Sequence, residues 1–409
     1  MTATAKNYAG DTVTFEYTFP KGAQGTSLVA HNVEISHWAQ AVFATLGIAS
    51  VEVTGSRMEQ LGTGAIEVHT TVDNAVVTIV NNLLTTREDA DVVVAVGKPQ
   101  GLGATLEDRE AIVDTFHGTV VIRDNTMRGL PDEAISRQRD DGALMGVAVR
   151  YPRINADNSI TILNNTISDL RDAGVWLRQK SDAEERDETG TWLVSTNTIE
   201  RVARGMIIDH ITGTLEVKEN ALVEPDGVGI ALRSPGSGVT LRANGVVNPG
   251  GRGYDLGPAK SASSTINLVG NQVTGAPRTG FYVRSAGGGT WILSENTAQN
   301  CYWGFALVGG GADDAAASFQ LSGNGVTALC WAANQGHTDV VAALAKAGAV
   351  LDIGVGTAGA LVANKDALVA RDLTFVGVDY LRRVPATARA IASMFAAKPA
   401  SSWPPRLPM

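Results

Sequence analysis

Residues 191–208, TWLVSTNTIERVARGMII, and residues 214–232, TLEVKENALVEPDGVGIAL, carry the same two phrases in the same order. Each begins with alternating apolar residues leading into an Asn (Asn197, Asn220). Each ends with a Gly followed by apolar-x-apolar (Gly205, Gly229). Working outward, the first phrase returns as VVIRDNTM, ITILNNTI, VTLRANGV, INLVGNQV, WILSENTA and FQLSGNGV, with Asn125, Asn165, Asn244, Asn271, Asn296 and Asn324 in the same place. The second returns as GVAVR, GVWLR, GYDLG, GFYVR and GFALV. From Asn197 onward successive Asn residues are 23, 24, 27, 25 and 28 residues apart. A fixed period of this size, with strand pattern and turn residues inside it, marks a solenoid.

Alternation fixes what each coil does. Side chains along a strand point in and out by turns, so Val175, Leu177, Ile208, Leu232, Phe281 and Val283 are predicted to stack into one continuous core. The Asn at one corner bends the backbone and bonds its counterpart in the next coil, as stacked Asn side chains do. The Gly at the second corner is expected to supply positive φ. The fold expected is an all-β solenoid, a right-handed parallel β-helix of roughly eleven coils with a small α-helical C-terminal cap. Degenerate rungs around Asn32, Ser56 (in the ladder place) and Asn82 extend it towards the N-terminus.

The expected organisation is an N-terminal segment or cap over 1–26, the β-helix over 27–324, helical and other elements over 325–400, and a Pro-rich tail, SSWPPRLPM, over 401–409. FEYTF is read as a cap or first turn over an otherwise open coil end, which would invite aggregation or trimer formation. A homotrimer or a monomer is the expected state. Gly97–His117, Arg128–Leu144 and Lys180–Gly190 interrupt the period as insertions, the first with a short helix. In solenoids insertions gather on one face, often the binding face.

A hydrophobic content of 44% against 18% charged residues suits a chain with a large core. The net charge of -9 argues against bulk binding of nucleic acid, and no basic, aromatic-interleaved stretch is present. No apolar run approaches membrane-spanning length, so no membrane partner is expected. The N-terminus, MTATAKNYAGDTVTF, lacks a basic-then-apolar segment; the expectation is cytoplasmic as written, or secreted with a leader removed. Cys301 and Cys330 lack disulfide-framework or metal-ligand spacing.

Aligned on their Gly, the second phrases put Arg150, Arg178, Asp209, Arg233, Gly257, Arg284 and Val308 in one outward column. Ala148, Trp176, Ile207, Ala231, Asp255, Tyr282 and Ala306 fill its neighbour. Tyr151, Gln179 and His210 follow the strands, and Glu67 and His69 project on the same face. Arg recognises carboxylate or sulfate with two parallel bonds, and Trp176 and Tyr282 offer flat faces to sugar rings. An elongated groove for an acidic polysaccharide follows, with Arg150, Tyr151, Trp176, Arg178 and Arg284 binding substrate. The alternative is an Arg–Asp ion-pair ladder that solubilises a sheet face. For catalysis, Arg233 neutralises a uronate carboxylate while His210 or an unprotonated Tyr282 removes the adjacent C–H proton, as in a lyase or epimerase. Asp209 and Asp255 would serve an inverting hydrolase instead. No clustered Asp/Glu has metal-ligand spacing, so no metal or cofactor is assigned.

Asn-laddered coils with a polar, loop-flanked parallel sheet resemble the right-handed β-helix superfamily of pectate lyases, polygalacturonases, alginate lyases and C5-epimerases. The resemblance implies a carbohydrate-active enzyme and leaves calcium open, since some lyases of this shape use it. It rests on architecture, and no catalytic motif of the superfamily is present to carry over. Separately, NGVTALCWAANQGHTDVVAALAKAGAVLD, Asn324–Asp352, is similar to a single ankyrin repeat. One such repeat cannot bury its own apolar face, so it is read as a cap on the β-helix. A non-catalytic glycan-binding β-helix, or an interaction module using the ankyrin-like end, is the competing reading.

Overall fold

The computed structural model describes residues 2–6, 12–16, 25–44, 47–69, 71–87, 90–97, 116–129, 145–179, 189–285, 288–309, 318–326, 330–331 and 352–353. These residues form a parallel β-solenoid with three walls. The first wall begins with strands Thr26–His31, Ile48–Thr54 and Thr71–Val80. It runs through Thr191–Ser195 and Thr214–Lys218 to Ser318–Ser322. Every strand on its path is parallel to the next. The second and third walls belong to one 19-stranded sheet. They merge because strands Thr166–Arg178 and Thr198–Asp209 run from one wall around the corner into the other.

The inner faces hold the core. Val175, Leu177, Ile208, Leu232, Phe281 and Val283 are all fully buried, and each such side chain contributes about 1.5–3 kcal/mol on leaving water. Like residues stack on like: Tyr254, Phe281 and Phe305 lie ring on ring, with centroids 4.7 Å apart in both steps. Trp192 and Trp291 are fully buried on the first wall.

The Asn ladder is continuous. Asn82 Nδ2 donates to Asn125 Oδ1 at 2.9 Å. The same bond then links Asn125, Asn165, Asn197, Asn220, Asn244, Asn271, Asn296 and Asn324 in turn. Each Oδ1 also accepts from the backbone N–H of the Asn below, and each Nδ2 reaches a carbonyl of the preceding coil (Asn220 N to Asn244 Oδ1, Asn220 Nδ2 to Val194 O). The ladder therefore satisfies buried groups that water cannot reach.

Three local expectations are corrected. The bent residue is not the Asn but the one before it: Asp124, Asn164, Thr196, Glu219, Ala243 and Glu295 all have φ between 52° and 59°. The Asn is left free to point inward and bond. By the same register Asn32, at φ 54°, is the bent residue, and Val33 N donates to Ser56 Oγ, so the side-chain ladder starts at Ser56. The Gly of the second phrase has no positive φ; it is there for space. On either side of it, Ala173 belongs to an outer apolar cluster and Val175 to the inner core, so the chain turns its side inward at Gly174. A Cβ on Gly174 would lie 2.4 Å from Ile199 Cγ2, and one on Gly229 2.5 Å from Val246 Cγ1.

At the N-terminus Thr2–Lys6 and Thr12–Glu16 form an antiparallel pair. The two helical expectations, the insertion helix and the ankyrin-like pair, lie outside the described residues, which contain no helix. Cys330–Trp331, inside the ankyrin-like segment, pairs with Asp352–Ile353 at its end as short parallel strands. The expected total of roughly eleven coils is likewise not fixed by the described residues.

Candidate functional site

The outer face of the third wall carries the charged columns. Its strands include Gly64–Val68, Val92–Gly97, Met145–Arg150, Ile230–Arg233, Tyr254–Leu256 and Thr279–Ser285, with the ends of the two long strands between them. Register pairs Arg150 with Arg178, Arg178 with Asp209 and Asp209 with Arg233. In the neighbouring column it pairs Ala148 with Trp176, Ala231 with Asp255 and Asp255 with Tyr282. Both columns thus run along one wall, and Gly97 and Glu67 extend them downward.

The row of outstretched arginines does not form. Arg150 is only 7% exposed and Asp209 only 5%. Arg150 leans back along its own strand over Ala148, its Nη2 reaching Met145 Sδ at 3.3 Å, with its guanidinium 4.7 Å from the Trp176 ring centre. The small Ala95 and Ala148 leave the floor on which it lies. Burial lowers its pKa to about 10, against the attraction of Tyr151, Asp172 and Asp91. Trp176 Nε1 donates to Asp209 Oδ2 at 3.1 Å, and Asp209 Oδ1 faces Arg233 Nε at 3.8 Å. Arg178 sits over the Tyr151 ring at 5.3 Å. Val92, Ala95, Met145, Ala148, Ala173 and Ile207 complete an apolar patch on this outer surface, with Trp176 against it. This half is closed.

The other half is open. Arg233 and Arg284 are exposed, Asp255 and Tyr282 half-buried. Asp255 accepts from Arg252 Nη1 at 3.0 Å and from Arg284 Nη2 at 3.3 Å. Both guanidiniums also lie against Tyr282, Arg252 at 3.7 Å and Arg284 at 5.8 Å from its ring centre. Arg252 was not found by aligning the strands on their Gly, because it stands one residue before Gly253. Since the Gly turns inward, the residue ahead of it faces out; Arg204, before Gly205, does the same and bonds Asp172.

His210 lies past the strand end at φ 57°, its backbone N–H bonded to Arg233 O, so it belongs to the corner rather than to the column. Tyr151 turns the chain likewise at φ 50°. Asp209 and Asp255 fall in different columns, two strands and two residues apart, so their Cα atoms are separated by roughly 12 Å. That spacing and their cationic partners disfavour a hydrolytic carboxylate pair. At the lower end burial raises Glu67, and burial also raises Asp91, opposed by Arg150. Burial lowers His69, whose ring meets Phe43 edge-on at 4.9 Å.

The insertions leave the solenoid beside the closed half. Residues 98–115 follow Gly97 and 180–188 follow Gln179, both at the exit of the third wall, and 130–144 enter it before Met145. Among the described residues no group of three potential ligands gathers for a metal, and no helix is long and apolar enough to cross a membrane.

Residues 153–326 match the family model for the right handed beta helix region. With the stacked parallel walls, this match supports the right-handed β-helix superfamily for the solenoid. Neither the curated proteins nor the solved structures return a match.

Proposed function

We propose that the open half of the third wall binds an acidic, uronate-type glycan and acts on it as a lyase or C5-epimerase. The observation that carries this reading is the cluster of Arg252, Asp255, Tyr282 and Arg284, in which two guanidiniums share one carboxylate and one aromatic ring on the outer face of a parallel sheet. A substrate carboxylate competes with Asp255 for the free guanidinium edges, assisted by Arg233 one strand below. Neutralising that carboxylate stabilises the carbanion formed when the proton on the adjacent carbon is taken. Tyr282 takes it in its phenolate form. In a lyase the electron pair then forms a C=C bond as the neighbouring C–O bond breaks, and the proton now on Tyr282 passes to the leaving oxygen. In an epimerase water on the opposite face gives a proton to the carbanion, and Tyr282 returns its proton to solvent.

The test is to incubate the protein with polygalacturonate, alginate and a glucuronate polymer. Ultraviolet absorbance follows unsaturated product, and proton NMR in D2O follows exchange at the epimerised carbon. Tyr282→Phe is expected to lower turnover at least about 100-fold with folding intact. Absence of both signals from the wild type, with binding retained, would favour a glycan-binding β-helix without catalysis.

A further inference from the structure

Beyond the arginine cluster, on the next coil, stands an aromatic pair that the core does not use. Tyr302 is 64% exposed and Trp303 half-buried, with ring centroids 5.7 Å apart and planes tilted by 32°. Among the described residues the other exposed large aromatic side chain is Phe43, on the first coil. The pair is held rather than dangling. Asn300, at φ 52°, turns the chain into position. Tyr302 N then donates to Ala276 O at 3.0 Å and Trp303 N to Arg278 O at 2.7 Å. A rigid backbone presenting flat amphipathic rings loses little entropy on binding.

Register fixes where the pair stands. Trp303 pairs with Thr279 and Ala306 with Tyr282, so Trp303 lies one strand beyond Tyr282 and three residues towards the entry corner. The Cα separation is roughly 11 Å, more than the length of one sugar ring. Between them the wall is low, because Ala306 is buried. Nothing bulky in that column separates Tyr282 from the platform.

We propose that Tyr302 and Trp303 form a second glycan subsite, on which a sugar ring of the same chain stacks while a uronate carboxylate is held at Arg252 and Arg284. This rests on the acidic-glycan reading above and makes the substrate a polymer lying along the solenoid axis, not a single sugar. Stacking of an apolar sugar face on a tyrosine or tryptophan ring is worth one step of affinity at most tenfold.

The experiment is titration calorimetry of wild type, Tyr302→Ala and Tyr302→Phe with di- and hexagalacturonate. Tyr302 is exposed, so its replacement leaves folding undisturbed, which circular dichroism checks. Expected are a roughly three- to tenfold loss of hexamer affinity in Tyr302→Ala, no change for the dimer, and wild-type behaviour in Tyr302→Phe. Hexamer affinity equal to wild type in Tyr302→Ala overturns the proposal, as does wild-type protein that binds neither hexagalacturonate nor a neutral hexasaccharide. Tyr302-dependent binding without turnover sustains the platform while removing the reaction. Tyr302-dependent binding of the neutral chain alone sustains the platform and removes the acidic substrate class.

Discussion

The two halves of the third wall's outer face share a register, a column pattern and an abundance of Arg, yet they differ in what surrounds the charges. Around Arg150, Trp176 and Asp209 the two charged groups are buried and lie against the indole of Trp176, itself half-buried. Around Arg252, Asp255, Tyr282 and Arg284 the charged groups are half-buried or exposed. The difference teaches that an outward position on a solenoid is a direction, not an exposure. A charge sealed from water must be neutralised within the protein; one left in solvent remains available to a ligand.

Replacing residues in each half should separate these roles. Trp176→Ala removes an indole that covers Arg150 and anchors Asp209, and is expected to cost about 3–5 kcal/mol, read as a drop in the denaturant midpoint. A stability equal to wild type would erase the distinction between the halves. Asn220→Ala probes the ladder that both halves share. It strands the donors of Asn197 and the carbonyl of Val194, for a cost of about 2–4 kcal/mol. In the open half, Asp255→Asn is expected to change stability by less than about 1 kcal/mol, because its ion pairs are solvated and screened.

The smallest effect depends on pH. Burial raises the Glu67 carboxyl in the folded state, so the folded protein holds its proton more tightly than the unfolded chain does. Stability from this group is then fully present below the ordinary carboxylate range and is lost as pH rises through the folded value. Glu67→Gln is therefore expected to raise the melting temperature at pH 7 and to leave it nearly unchanged at pH 4. An equal shift at both values would mean that the carboxyl is not strained by burial.

The solenoid was legible because its signal repeats. Asn197, Asn220 and Asn244 are each a weak turn signal, but stacked in register each constrains the next, and the inward residues follow from alternation. The outward columns were legible for the same reason. What the sequence could not show is how far a side chain extends from its strand. Arg150 and Arg284 occupy equivalent places in GVAVR and GFYVR, but one lies flat over Ala148 towards Met145 and the other reaches Asp255. That choice depends on neighbours one and two coils away. The role of the repeated Gly was misassigned because a glycine required for space and one required for positive φ look alike in sequence. Arg252 stands before its Gly, where no repeated phrase marks an outward position, so the pattern of the strands does not reveal it.

The most direct measurement is the affinity of hexagalacturonate for Arg284→Ala beside that for Arg178→Ala, one arginine from each half of the same column. The account predicts a loss of at least about tenfold in Arg284→Ala and wild-type affinity in Arg178→Ala. Loss confined to Arg178→Ala would contradict it and move the binding surface to the closed half.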